Sequence, residues 1–235
     1  MKKFFPLSMV MVCIALVQCQ QKTEKPACEK KWVSLYVFNN SGIVNIDSSG
    51  MRLKIPGGYD HVFIKPIGNK ILKGDFELTA SFENYSVQPY SQNTLMSSFR
   101  IEVSNVENPF NNDKNITSHW FGGGIGGLPA DNDSGVNFRV TGDKTFIVLS
   151  AEEVKKFGTM TIKRQGKVIS STITVGQSTL TQRNENFTME DLTFYISAML
   201  EWGNNQNVTV RNISIKDKDG NIIFSDDFAC NSLQD

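Results

Sequence analysis

The chain has 235 residues with 24 basic and 24 acidic side chains. It therefore lacks the basic excess with which nucleic-acid-binding proteins neutralise phosphates, which argues against a nucleic-acid partner. Aromatic residues make up 10% of the chain, 16 of them Phe, enough apolar bulk for a packed core and too much for a disordered polymer.

The first element is a leader. Lys2 and Lys3 precede an apolar run from Phe4 to Val17 that ends in Leu16-Val17-Gln18-Cys19. A basic head, a short apolar middle and a cleavage-like end mark an export signal, and the run is short for a bilayer span. The segment resembles the lipobox of bacterial lipoproteins. That resemblance implies a signal peptide over 1–18, acylation of Cys19, and a lipid-anchored protein of the bacterial cell envelope, at the outer membrane. An ordinary signal peptide and an uncleaved apolar anchor are the alternatives. Residues 19–31 are polar and aperiodic and read as a tether. Of the four cysteines, Cys13 falls in the leader and Cys19 at the anchor. Cys28 and Cys230 remain, either paired in an oxidising envelope or as two free thiols.

From Trp32 to the C-terminus, alternation of period two predicts strands with one buried face. Met51-Leu53-Ile55, Phe76-Leu78-Ala80-Phe82 and Phe99-Ile101-Val103 are the first clear runs. An Asn-rich loop containing Pro109 follows over 105–115. Trp120-Phe121 then leads into the glycine run Gly122 to Gly127, read as strand glycines that permit close backbone approach. After Val136-Phe138-Val140, Ser150 and Glu152 to Phe157 predict one short helix. Met160-Ile162, Ile169-Ser171-Ile173-Val175, Phe194-Ile196-Ala198, Val208-Val210 and Ile213-Ile215 complete the strands. Gln165-Gly166 and Asp219-Gly220-Asn221 are hairpin turns. Roughly ten to twelve strands without an internal linker predict a single all-β domain over 32–235, a two-layer sandwich or a barrel.

Several of these pieces resemble a known group. Gly74-Asp75-Phe76-Glu77-Leu78 is similar to an early strand of concanavalin A-like lectin/glucanase jelly rolls, and Val210-Arg211-Asn212-Ile213-Ser214-Ile215 to their closing strand. Asp133-Ser134-Gly135-Val136-Asn137-Phe138-Arg139 and Thr161 to Lys167 resemble strands of the 3-keto-disaccharide hydrolase branch. The resemblance implies an antiparallel β-sandwich of jelly-roll type and a carbohydrate partner. It also implies that the first and last strands lie side by side, which would bring Cys28 and Cys230 together as a disulfide.

Catalytic signals are sparse. No E-x-D pair occurs, and Glu77 and Glu83 share a strand face about 20 Å apart, too far for either glycosidase geometry. Glu102 lies two positions from Arg100, the spacing of an ion pair on one strand face. With no G-x-S-x-G elbow and only His61 and His119, neither a Ser-His-Asp triad nor a zinc cluster is encoded. Asp131 and Asp133 present alternate oxygens that suit a structural calcium, or a plain polar turn. No other cofactor is implied. Tyr85, Tyr90, Trp120 and Trp202 fall near strand ends beside amides, a composition suited to stacking on sugar faces. The expected function is a membrane-anchored lipoprotein that binds carbohydrate without catalysis. An assembly lipoprotein making protein contacts and a glycoside hydrolase or lyase are the alternatives.

Overall fold

Alternating apolar residues can be buried only if a second layer covers them, and the computed structural model shows how this chain supplies it. It describes residues 28–38, 41–68, 71–89, 96–105, 120–129, 136–141 and 145–234. Among them the chain forms β1 (Trp32–Phe38), β2 (Ile43–Asp47), β3 (Gly50–Gly57), β4 (Asp60–Pro66) and β5 (Phe76–Gln88). Then come β6 (Met96–Ser104), β7 (Trp120–Pro129), β8 (Val136–Thr141), β9 (Phe146–Leu149) and β10 (Gly158–Gln165). The last are β11 (Val168–Val175), β12 (Ser178–Asn184), β13 (Thr193–Trp202), β14 (Asn204–Asp217) and β15 (Ile222–Asp226).

These strands make two antiparallel sheets, and the protein is an all-β two-layer sandwich. One sheet has seven strands in the order β1-β4-β13-β6-β7-β8-β9. The other has eight, in the order β12-β11-β10-β5-β14-β3-β2 with β15 also on β14. The long strand β14 pairs β3 through its first half and β15 through its second. The predicted apolar faces form the shared core: Met51, Leu53 and Ile55, Phe76 to Phe82, Phe99 to Val103, and Ile169 to Val175 are buried at alternate positions. The two apolar pairs of β14, Val208-Val210 and Ile213-Ile215, have opposite parity. A register shift between Val210 and Asn212 reconciles them, letting both pairs face inward.

The expected short helix is absent. Ser150 does form a reciprocal cap, its Oγ accepting from Glu153 N at 3.1 Å while Glu153 Oε2 accepts from Ser150 N at 3.0 Å. Only turns follow, over 151–155. Strand β10 starts at Gly158, so the segment is too short for propagation to offset the cost of nucleating a helix.

The chain ends meet, but not as neighbouring strands. The last strand, β15, belongs to the eight-stranded sheet, whereas β1 edges the other. The tail beyond β15 crosses to β1: Lys31 N and Trp32 N donate to Ser232 O at 2.7 and 3.0 Å, and Gln234 N donates to Trp32 O at 2.7 Å. Trp32 is wholly buried and packs edge-on against Phe194 and Phe224 at 5.6 and 5.2 Å. Its Nε1 donates to Asp226 Oδ2 at 2.6 Å, which also accepts from Ser232 Oγ at 2.7 Å. Beside this cluster Cys28 and Cys230 are joined as a disulfide, with Cα atoms 6.0 Å apart.

Candidate functional site

Residues of β4, β13, β6 and β7 that do not face the core face outward from the seven-stranded sheet, and register sets them in rows. Phe63 pairs Ser197, which pairs Arg100, which pairs Gly124. One row over, His61, Met199, Ser98 and Gly126 align. On the other side, Tyr195, Glu102 and Gly122 align, with Trp120 two residues before Gly122 on the same face. On this face lies a groove of about 390 Å³, lined by His61, Phe63, Arg100, Glu102, Trp120 and Ser197 among others.

One wall of the groove is aromatic. Trp120 and Tyr195 have ring centroids 5.0 Å apart, and Phe63 lies 6.1 Å from Trp120 and 6.3 Å from Tyr195. Tyr195 is only 1% exposed, so it backs the wall, while Trp120 is half-buried and presents its ring. Beyond Trp120, β7 continues with glycines on the same face. Gly122, Gly124 and Gly126 share the outward face of β7, whereas Phe121 and Ile125 point into the core. A Cβ on any of the three would collide with a carbonyl oxygen of β6, from Ile101, Phe99 or Ser97. These glycines are themselves buried, and close approach of the two backbones excludes side chains from this stretch of β7. Beyond the paired half of β7, the Gly122 carbonyl accepts a hydrogen bond from Gln182 Nε2 on β12 of the opposite sheet.

Charge is confined to fixed pairs. Arg100 Nε and Nη2 both reach Glu102 Oε1, at 2.8 and 2.7 Å, so the spacing of two residues on one strand does form the expected ion pair. At the other rim, His61 Nε2 lies 3.7 Å from Glu201 Oε1, and Tyr59 stacks on the imidazole with centroids 5.4 Å apart. Burial pushes the His61 pKa below the ordinary histidine value, against the opposing charges of Glu201 and Asp60. Loss of solvation, then the Glu201 charge, raises the Tyr59 hydroxyl. Near neutral pH this rim therefore offers an uncharged imidazole and an uncharged phenol. A ring wall, hydroxyls and uncharged polar groups in one groove suit a ligand with alternating C–H and O–H surfaces.

The sequence-predicted site residues are scattered by the fold. Tyr85 is a correction. It is wholly buried, its hydroxyl 2.7 Å from Ser97 Oγ between the sheets, because β5 continues to Gln88 and the left-handed Asn84, at φ 59°, turns the next side chain inward. Burial also pushes the Tyr85 hydroxyl far above its usual pKa. Trp202 is 51% exposed but cannot share a platform with Trp120. Trp120 pairs Ser104 opposite Thr193, the first residue of β13, and Trp202 is its last. The strand is 10 residues long, which separates the two indoles by about 30 Å. Tyr90, His119, Asp131, Asp133 and Cys19, the expected acylation site, lie outside the described residues. Among the described residues no group of three or more His, Cys, Asp or Glu side chains is placed to hold a metal. Glu77 pairs Lys163 at 3.3 Å and Glu83 pairs Arg211, so both carboxylates are spent on strand-to-strand contacts of the other sheet. Phe63 and Tyr195, by contrast, carried a sequence signal that alternation alone overlooks: each is a large aromatic at the out-of-phase position of a strand whose other face is already apolar.

No family model matches the chain, and no curated protein does. Solved structures are similar in fold. A legume lectin-like domain from Entamoeba histolytica is 11% identical, with 78% of this chain and 89% of that one covered and a TM-score of 0.46. Winged bean acidic lectin, solved with methyl-α-D-galactose, is 12% identical over 78% and 97%, with a TM-score of 0.48. An alginate lyase from Zobellia galactanivorans is 10% identical over 77% and 83%, with a TM-score of 0.47.

Proposed function

We propose that the protein is an exported lipoprotein, anchored in the cell envelope through acylated Cys19, that binds carbohydrate on the outer face of its seven-stranded sheet without chemical conversion. The observation that carries this reading is the groove in which Trp120, Tyr195 and Phe63 stand beside Ser98, Ser197 and the Arg100–Glu102 pair. Aromatic rings pack on the C–H faces of a sugar, and the floor groups take its hydroxyls. Binding without chemistry is favoured because, among the described residues, Glu102 is committed to Arg100 and Glu201, at the His61 rim, faces His61. A glycan array probed with the mature chain tests the proposal. At least one saccharide class is expected to bind, and Trp120→Ala to weaken it by about 1–2 kcal/mol, roughly five- to thirty-fold in affinity, while Trp202→Ala leaves it unchanged. No binding to any saccharide would favour an assembly role through protein contacts.

The anchor has its own test. Acyl chains contribute ~0.8 kcal/mol per buried methylene, so a multiply acylated Cys19 holds the protein in the detergent phase. Cys19→Ala is expected to shift the protein to the aqueous phase or leave it as precursor. Unchanged partitioning would refute acylation.

A further inference from the structure

The end of the sandwich nearest the tether carries an apolar patch that the carbohydrate reading does not use. Ile222 and Ile223, at the start of β15, are 62% and 47% exposed, and Ile67, just past β4, is 42% exposed. They line one shallow depression together with Glu29, Lys30 and Lys31. Lys30 Nζ donates to Leu233 O at 2.7 Å and Lys31 Nζ to Ser225 O at 2.9 Å, which holds both ammonium groups at the rim of the isoleucines. Clustered exposed isoleucines edged by lysines are the composition of a surface that seats in the headgroup region of an anionic bilayer.

We infer that this patch is a second membrane contact, made by the folded domain itself with anionic lipid. The inference rests on the lipid-anchor reading for its setting. Residues 20–27 separate Cys19 from Cys28, a reach of roughly 30 Å at full extension. The chain then enters the domain at Cys28, bonded to Cys230, and reaches the patch at Lys30. An acylated Cys19 therefore tethers the domain by this end, within about 30 Å of the lipid surface. Seating the patch fixes orientation as well as position. Trp32 and Pro66 mark the patch end of the seven-stranded sheet, whereas Asp60 and Trp202 mark the far end. With Ile67, Ile222 and Ile223 on the bilayer, the strands of that sheet rise from it, and the groove stands on a side wall with Trp202 at the top.

The test uses the mature chain carrying Cys19→Ala, so that no lipid is attached, with its disulfide intact, and vesicles of phosphatidylglycerol. Cosedimentation with the vesicles is expected. Ile222→Asp combined with Ile223→Asp is expected to weaken it by about tenfold or more, with the melting temperature unchanged. Should that pair of substitutions impair folding, Ile67→Asp carries the same test from the segment just past β4. Failure of the Cys19→Ala chain to sediment overturns the patch, as does binding indifferent to the isoleucines. A shift from dimer to monomer in the Ile222→Asp, Ile223→Asp chain, without vesicle binding by the parent, also overturns it and makes the patch a contact between copies. Acylation is read separately, from the mass of Cys19 in the unaltered protein, so failure of the anchor and failure of the patch give different results.

Discussion

Replacing Cys28 and Cys230 together by serine is expected to lower the unfolding free energy by about 3 kcal/mol and the melting temperature by roughly 6–12 °C. The bridge spans a sequence separation of 202, and loop-closure entropy alone sets an upper value of about 5 kcal/mol for so large a ring. The full value is not expected, because the tail stays held without the bridge. Trp32 Nε1 and Ser232 Oγ still share Asp226 Oδ2, and Ser232 O still accepts from two amides. What the bridge adds is restraint on the unfolded chain. Thermal unfolding of the double variant against the oxidised parent reads this directly. Equal melting temperatures would mean that the covalent link between the chain ends contributes nothing. Intact-mass analysis of the parent, showing the linked peptide, establishes that the comparison is the intended one.

Gly124→Ala is expected to destabilise the protein by about 3 kcal/mol or more, although it adds a single methyl group. The added Cβ would strike the Phe99 carbonyl and come within 2.8 Å of Arg100 Cα. Both obstacles are backbone. Strand β6 cannot retreat, because β13 holds its other edge from Ser104 to Met96. Overpacking of this kind costs ~1–3 kcal/mol where side chains can yield, and more where they cannot. Gly166→Ala is the contrast. Gly166 has φ +58° with nothing within 4 Å of an added Cβ, so only the left-handed backbone penalty of about 1 kcal/mol applies. Chemical denaturation of the two variants separates these causes. A Gly124→Ala protein as stable as Gly166→Ala would contradict the close approach of β6 and β7.

The layers of the sandwich were legible in the sequence because burial of one strand face is written locally, residue by residue. Met160 and Ile162 or Ile169 and Ile173 need no partner to declare their face. Both expected hairpin turns stand where Gly166 and Gly220 supply positive φ. The misreadings share a different physics. Tyr85 looked like a rim residue because nothing local shows that Asn84 is left-handed. The Ser150 cap was legible, but whether a helix follows depends on where β10 must begin. The crossing of the C-terminal tail to β1 depends on Asp226 receiving an indole and a hydroxyl from opposite ends of the chain. The groove was the least legible feature of all. Phe63, Trp120 and Tyr195 are far apart in sequence and meet only because β4 and β6 flank β13 and β7 follows β6 in the sheet. Strand order is a non-local property, and alternation does not encode it.

Backbone amide shift mapping with a bound saccharide tests the central claim most directly. Perturbed amides are expected to cluster on β4, β13, β6 and β7 around Phe63, Ser197, Arg100 and Gly124, fading toward Trp202, while β10, β11 and β14 of the opposite sheet stay unmoved. Perturbations centred on the eight-stranded sheet, or on the Trp202 end alone, would contradict it.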